Sequence, residues 1–162
     1  MSKKKMDKTN AMRILDRGKI PYEIMTYTVD ESDLSGEHAA AELGLDPARV
    51  FKTLVLKGDK NGYLVAVIPV SETLDLKALA RVSGNKSVEM IPVKDLFGLT
   101  GYIRGGCSPI GMKKQFPTYL HESCMDFETI VFSAGQRGMQ IVAAPQDLDR
   151  TVGAEICPLL QA

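Results

Sequence analysis

The chain has 162 residues, 44% of them apolar and 25% charged, with Lys+Arg and Asp+Glu equal at 20 each. That composition fits a single compact domain burying roughly 70% of its unfolded surface, and it excludes disordered, collagenous and disulfide-stapled classes. Neutrality also removes most of the gain from counterion release, so a nucleic-acid partner would need a local patch, a pocket or a helper protein.

The charge is unevenly spread. Through Lys19, seven bases (Lys3, Lys4, Lys5, Lys8, Arg13, Arg17, Lys19) face two acids, Asp7 and Asp16. Residues 1–7 read as a basic, flexible tail, either merely solvated or in contact with an anionic partner. No apolar run reaches membrane-span length, and the first residues lack a signal-peptide core, so a cytoplasmic protein with no membrane partner is expected. Cys107, Cys124 and Cys157 are odd in number and widely spaced. With His38 and His121 as the only histidines they form no zinc pattern, and no metal or cofactor is expected.

In chain order, Thr9 to Arg17 reads as a short helix, with Ala11, Met12, Ile14 and Leu15 at helical spacing and Gly18 as a stop. Ile20 to Val29 alternates like an extended segment. Ser35 can cap a helix through Leu43 that ends at Gly44, and Asp46-Pro47 opens a single further turn. Val50 to Leu56 and Tyr63 to Val70 are predicted strands, joined around Gly58-Asp59-Lys60-Asn61-Gly62 as a hairpin. Asp75 caps a helix from Leu76 to Val82, and Ser87 to Met90 is a short strand. Pro92 to Phe97 is a short helix, followed by a turn over Gly98 to Gly101.

Tyr102 to Arg104 leads into a loop, Gly105-Gly106-Cys107-Ser108-Pro109-Ile110-Gly111. Thr118 to His121 and Glu128 to Ser133 are strands, and Met139 to Ala143 pairs with the second of them across Ala134-Gly135-Gln136-Arg137-Gly138. Pro145 starts a closing helix that stops near Gly153. This irregular alternation points to an α/β (α+β) single domain: a mixed, mostly antiparallel sheet or partly closed barrel flanked by short helices.

Three features could carry chemistry. Lys52 shares a strand face with Leu54 and Leu56, while Phe51, Thr53 and Val55 take the other face. Both faces are apolar, so the lysine either serves a site that uses its charge or stretches its stem outward until the ammonium meets water. The Gly105–Gly111 loop leaves main-chain groups uncovered, which suits either a tight turn or a closely approaching ligand. The segment Ser133 to Gly138 is a plain hairpin, or a device that aims Ser133 and Arg137 at a site. Protein nucleophiles are lacking: Ser108 precedes proline rather than sitting in GxSxG, and neither HExxH nor paired helical carboxylates occur.

Taken together, Lys19-Ile20-Pro21-Tyr22 with Tyr27, Phe51-Lys52-Thr53-Leu54, Thr100-Gly101-Tyr102 with Gly105 to Gly111, Phe127-Glu128-Thr129-Ile130, Ser133 to Gly138 and Ala144-Pro145-Gln146-Asp147-Leu148 resemble the YbaK/EbsC family. These are relatives of the editing insertion in bacterial prolyl-tRNA synthetases. The matching segments fall in order from about Ala11 to Leu160, which makes residues 8–162 the editing domain. The resemblance implies a Cys-tRNA(Pro) deacylase acting on misacylated tRNA(Pro), with a transient prolyl-tRNA synthetase complex as a possible setting.

It also implies that Lys52 is the key catalytic residue, holding the terminal phosphate and sugar. Tyr27, Thr53, Gly105, Gly106, Ser108, Pro109, Ser133, Gly135 and Arg137 would form the substrate pocket, and the substrate's own thiol would serve as nucleophile. The chain departs from the family at Cys107, where an aliphatic residue is usual, and at Gln140, where some relatives carry an acidic or small polar residue. Competing readings are a deacylase for alanine or another small residue, a non-catalytic aminoacyl- or nucleotide-binding module, and an RNA-binding protein acting through its basic front.

Overall fold

A computed structural model describes residues 8–162; the predicted basic tail, residues 1–7, lies outside the described residues. The strand predicted from Val50 forms as β2 (Phe51–Gly58) and turns into β3 (Gly62–Pro69), pairing Phe51 with Pro69 through Gly58 with Gly62. On the far side of β2 lies β4 (Val88–Met90), antiparallel and matched only to Leu56–Gly58. Beyond β3 come β5 (Thr118–His121) and β8 (Glu155–Cys157), both parallel, giving a mixed five-stranded sheet in the order β4-β2-β3-β5-β8. A second, antiparallel sheet orders β1 (Glu23–Thr26), β7 (Met139–Ala143) and β6 (Ile130–Gln136).

The sheets meet at a parallel bridge between Val50 and Val131, and among the described residues they do not close into a barrel. The mixed, mostly antiparallel reading therefore holds, as two sheets rather than one. Alternation along β2 and β3 separates two cores. Phe51, Val55, Val65 and Val67 face the second sheet, packing with Phe132, Ile130 and Ile141 and with α1 (Asn10–Arg17). Leu56, Leu64, Ala66 and Ile68 face the opposite way, onto Leu79 and Ala80 of α3 (Leu76–Ser83).

Most helix signals act as their chemistry requires. The Ser35 hydroxyl accepts from His38 N at 3.2 Å at the start of α2 (Gly36–Leu43), and Gly44 ends that helix in the left-handed region. The Asp75 carboxylate accepts from Lys77 and Ala78 at the start of α3. Pro145 opens the closing helix α5 (Pro145–Val152).

Three elements differ in extent from the sequence reading, and two were not read at all. The extended run from Ile20 shortens to β1, because Asp30 gathers Ser32 into a local turn through its main-chain and hydroxyl donors. Helix α4 (Val93–Thr100) continues through Gly98, with the Thr100 hydroxyl donating to Leu96 O at 2.8 Å and Gly101 capping the end. Strand β6 runs on to Gln136 through an irregularity, since Ser133 opposes Gln140 while Gln136 opposes Met139. Strand β8 and a 3₁₀ turn (Glu122–Asp126) were not anticipated. Among the described residues no helix is long and apolar enough to cross a membrane.

His121, at the end of β5, accepts from Leu159 N at 3.0 Å through Nδ1, and burial holds its pKa below the ordinary value of about 6.5. The folded state therefore resists the proton that the unfolded chain takes up. This contribution is complete well above pH 6.5 and is lost as the pH falls below it. Wild type should lose thermal stability between about pH 7.5 and 5.5. His121→Gln, which can still accept from Leu159, should lose markedly less in calorimetric melts over that window.

Candidate active site

A change of partner along one strand creates the site. Odd-numbered residues of β2 turn their main-chain groups away from β3. At the start of the strand this edge is held against β6 by the Val50–Val131 bridge, and further on Val55 O accepts from Ile91 N at 3.3 Å. Thr53 lies between, with no strand pairing on that edge among the described residues, and its hydroxyl is buried and unpartnered. Here a cavity of about 370 Å³ opens, within the range of small-ligand sites.

The cavity walls come from Tyr27, the first turn of α2, Val50 and β2 as far as Val55, the β4–α4 segment, the Arg104–Gly105–Cys107 stretch, and Ser133 with Gln140. Lys52 is half-buried and opposes Ile68, at the outer end of the α3-facing surface. Its ammonium donates to Val70 O at a long 3.4 Å and has no carboxylate partner among the described residues. Its remaining donors are thus uncommitted on the same cavity that Gly105 lines.

Helix α2 reaches the cavity because Gly36 has no side chain: a Cβ there would stand 2.3 Å from Val70 Cγ1. The main-chain N–H groups of Gly36 and Glu37 have no partner among the described residues. With the helix dipole they favour an anion at this wall. Glu37 is the one carboxylate lining the cavity, against Lys52 and Arg104.

The remaining predicted residues divide in two. Tyr27, Lys52, Thr53, Gly105 and Ser133 line the cavity, whereas Gly106, Ser108, Pro109, Gly135 and Arg137 do not. Four of those five shape the wall from behind. Ser108 is fully buried and accepts from Ile110 N at 3.2 Å. Gly106 passes so close to the hairpin that a Cβ would meet Arg137 N at 3.0 Å. Arg137 Nε donates to Arg104 O at 2.8 Å, tying the hairpin to the glycine loop. Gly135, at φ +98°, lies against the Tyr102 ring, and its N–H donates to Ser133 Oγ at 3.1 Å.

The sequence reading missed the α2 turn, Leu34 and Arg104 as lining residues, although the Ser35 cap already signalled a helix start. Gln140 and Cys107, set aside as departures, line the cavity too. Burial pushes the Cys107 thiol up to about 12, which holds it in the protonated, poorly nucleophilic form near neutral pH. Among the described residues no cluster of three or more His, Cys, Asp or Glu side chains is placed to hold a metal.

Residues 32–151 match the aminoacyl-tRNA editing domain. The chain is 56% identical over 147 residues, 90% of each protein, to an Enterococcus faecalis protein provisionally named Cys-tRNA(Pro)/Cys-tRNA(Cys) deacylase EbsC. The chain belongs to the aminoacyl-tRNA editing domain family. It is also 26% identical to the uncharacterized Bacillus subtilis protein YwhH, over 74% of this chain and 75% of that one. A crystal structure of a protein provisionally described as a trans-editing enzyme for prolyl tRNA synthetase shares the editing-domain fold. Its TM-score is 0.80 at 22% identity, covering 94% of this chain and 96% of that one.

Burial that pushes the Cys107 thiol up to about 12 leaves very little thiolate at pH 8. Alkylation of Cys107 by iodoacetamide at pH 8, followed by mass spectrometry of the folded editing domain, should lag far behind glutathione and become fast after denaturation.

Proposed function

We propose that the protein is a trans-editing deacylase that clears misacylated tRNA, with Cys-tRNA(Pro) as its substrate. The observation that carries this reading is the pairing of an uncompensated Lys52 with Gly105 on one cavity that offers no protein nucleophile. Family membership and the 56% identity to EbsC support it.

In this reading Lys52 and the free amides at the head of α2 hold the 3′-terminal phosphate and sugar. Glu37 offers a counter-charge to the α-ammonium, and Gly105 presents main-chain groups beside the amino acid. The substrate's thiol attacks its own ester carbonyl: a C–S bond forms, the C–O bond to the ribose breaks, and the thiol proton passes to the departing ribose oxygen. A thiolactone leaves and is hydrolysed by water. An intramolecular attack gains from proximity, although ring strain keeps it below the ~10⁵–10⁸ M effective molarity of ideal systems. Donors aimed at the developing oxyanion are worth about 3 kcal/mol each.

The 370 Å³ volume suits an amino acid and its ribose rather than a folded RNA stem. Recognition of tRNA(Pro) as such therefore falls outside the cavity, and the neutral net charge favours lending by prolyl-tRNA synthetase in a transient complex. Such a substrate places the protein in the cytoplasm.

Lys52→Ala should reduce single-turnover deacylation of Cys-tRNA(Pro) by at least about 10²-fold while leaving the thermal melt unchanged. Near-normal turnover would end the assignment of Lys52. Serine- and alanine-loaded tRNA(Pro) should be hydrolysed much more slowly than the cysteine-loaded form. Equal rates would require a water nucleophile and a broader editing role.

A further inference from the structure

Charge is not evenly spread along the chain that follows the cavity-lining Met90. Residues 91–117 carry four bases, Lys94, Arg104, Lys113 and Lys114, against one acid, Asp95, in a chain whose total charge is zero. All four bases are exposed. Within this cationic segment, α4 turns its apolar side chains outward: Val93 is 62% exposed and Phe97, one helical turn later, 58%. Met90, just before the helix, is also exposed.

Apolar groups on a small protein's surface are ordinary when scattered, but these are continuous with the site. Met90 and Val93 line the cavity, and Phe97 follows Val93 on the same helical face at i+4. Lys113 places its ammonium 5.0 Å from the centre of the Phe97 ring. An exposed aromatic ring with a cation beside it, on a helix that also lines an anion-favouring pocket, is the pattern used to hold single-stranded nucleic acid. Bases stack on the ring, and the cations follow the backbone.

We infer that Phe97, with Lys113, Val93 and the adjoining Met90 at the end of β4, forms a stacking platform for the unpaired 3′-terminal nucleotides that precede the aminoacylated ribose. The inference rests on the deacylase reading for the identity of the strand and deepens it, because it names how RNA is gripped outside the cavity. Charge complementarity and continuity with the cavity select a polynucleotide strand as occupant. The platform needs no particular tRNA sequence, since every base has a face to stack.

The test compares wild type, Phe97→Ala, Phe97→Trp and Lys113→Gln, all at exposed positions outside the cavity lining. Binding is read by fluorescence anisotropy with an uncharged acceptor-stem RNA hairpin carrying its single-stranded 3′ end, and with the same hairpin trimmed of that end. Phe97→Ala should weaken binding of the intact hairpin about tenfold and leave the trimmed one unchanged, and Phe97→Trp should retain wild-type affinity. Lys113→Gln should lower the salt slope by about 1.

Hydrolysis of cysteinyl-adenosine, which lacks the preceding nucleotides, should be unaffected by Phe97→Ala. Wild-type affinity of Phe97→Ala for the intact hairpin, or equal weakening on both hairpins, overturns the platform. Loss of prolyl-tRNA synthetase binding with unchanged RNA affinity overturns it as well, making the face a protein-docking surface. Failure of the wild type to hydrolyse any cysteinyl ester while the hairpin results hold removes the deacylase reading and leaves the platform standing.

Discussion

Holding a cation partly out of water without a carboxylate beside it is costly, and the architecture around Lys52 is arranged to make that tolerable. Its stem runs at the end of an apolar sheet face, where Leu54, Leu56 and Ile68 shed little energy by touching methylenes. Its head reaches a single distant carbonyl and an opening. A neighbouring aspartate would neutralise the charge and consume its donors. The free amides at the head of α2 add positive potential instead, so the pocket gains most from an anion supplied by the ligand.

The catalytic economy follows from the same arrangement. Cys107 is present at the wall but is silenced by burial, and Ser133 has its hydroxyl engaged by Gly135 N. Neither is paired with a histidine: His121 is committed to Leu159 and lies outside the lining. Chemistry in such a cavity has to be brought in by the substrate, with the protein supplying position and field.

Much of this was legible in the sequence, for reasons that differ from element to element. The face assignment of Lys52 followed from a period of two, which the two separate cores reproduce. Caps at Ser35 and Asp75 and the stop at Gly44 were readable because each rests on a local hydrogen bond or a backbone angle. What escaped depends on contacts between distant residues. Strand β8 has three residues and owes its existence to β5, and Gly98 is carried inside α4 by its neighbours. The split between lining and supporting residues was also invisible. Gly106, Ser108, Gly135 and Arg137 share motifs with the lining residues, and the side of the wall each occupies is decided by the docking of the hairpin on the glycine loop.

The vacancy in the hydrogen-bond ladder at Thr53 bears on how the protein avoids sticking to itself. An uncovered sheet margin normally invites another chain to add a strand, and most proteins blunt such margins with charge or bulges. Here the vacancy is one residue long and closed at both ends, by β6 beyond Phe51 and by Ile91 at Val55. A polypeptide cannot register there, because its next residues would collide with occupied positions, whereas a small amide- or hydroxyl-bearing molecule fits. The same interruption that leaves room for a ligand thus screens out aggregation partners by size.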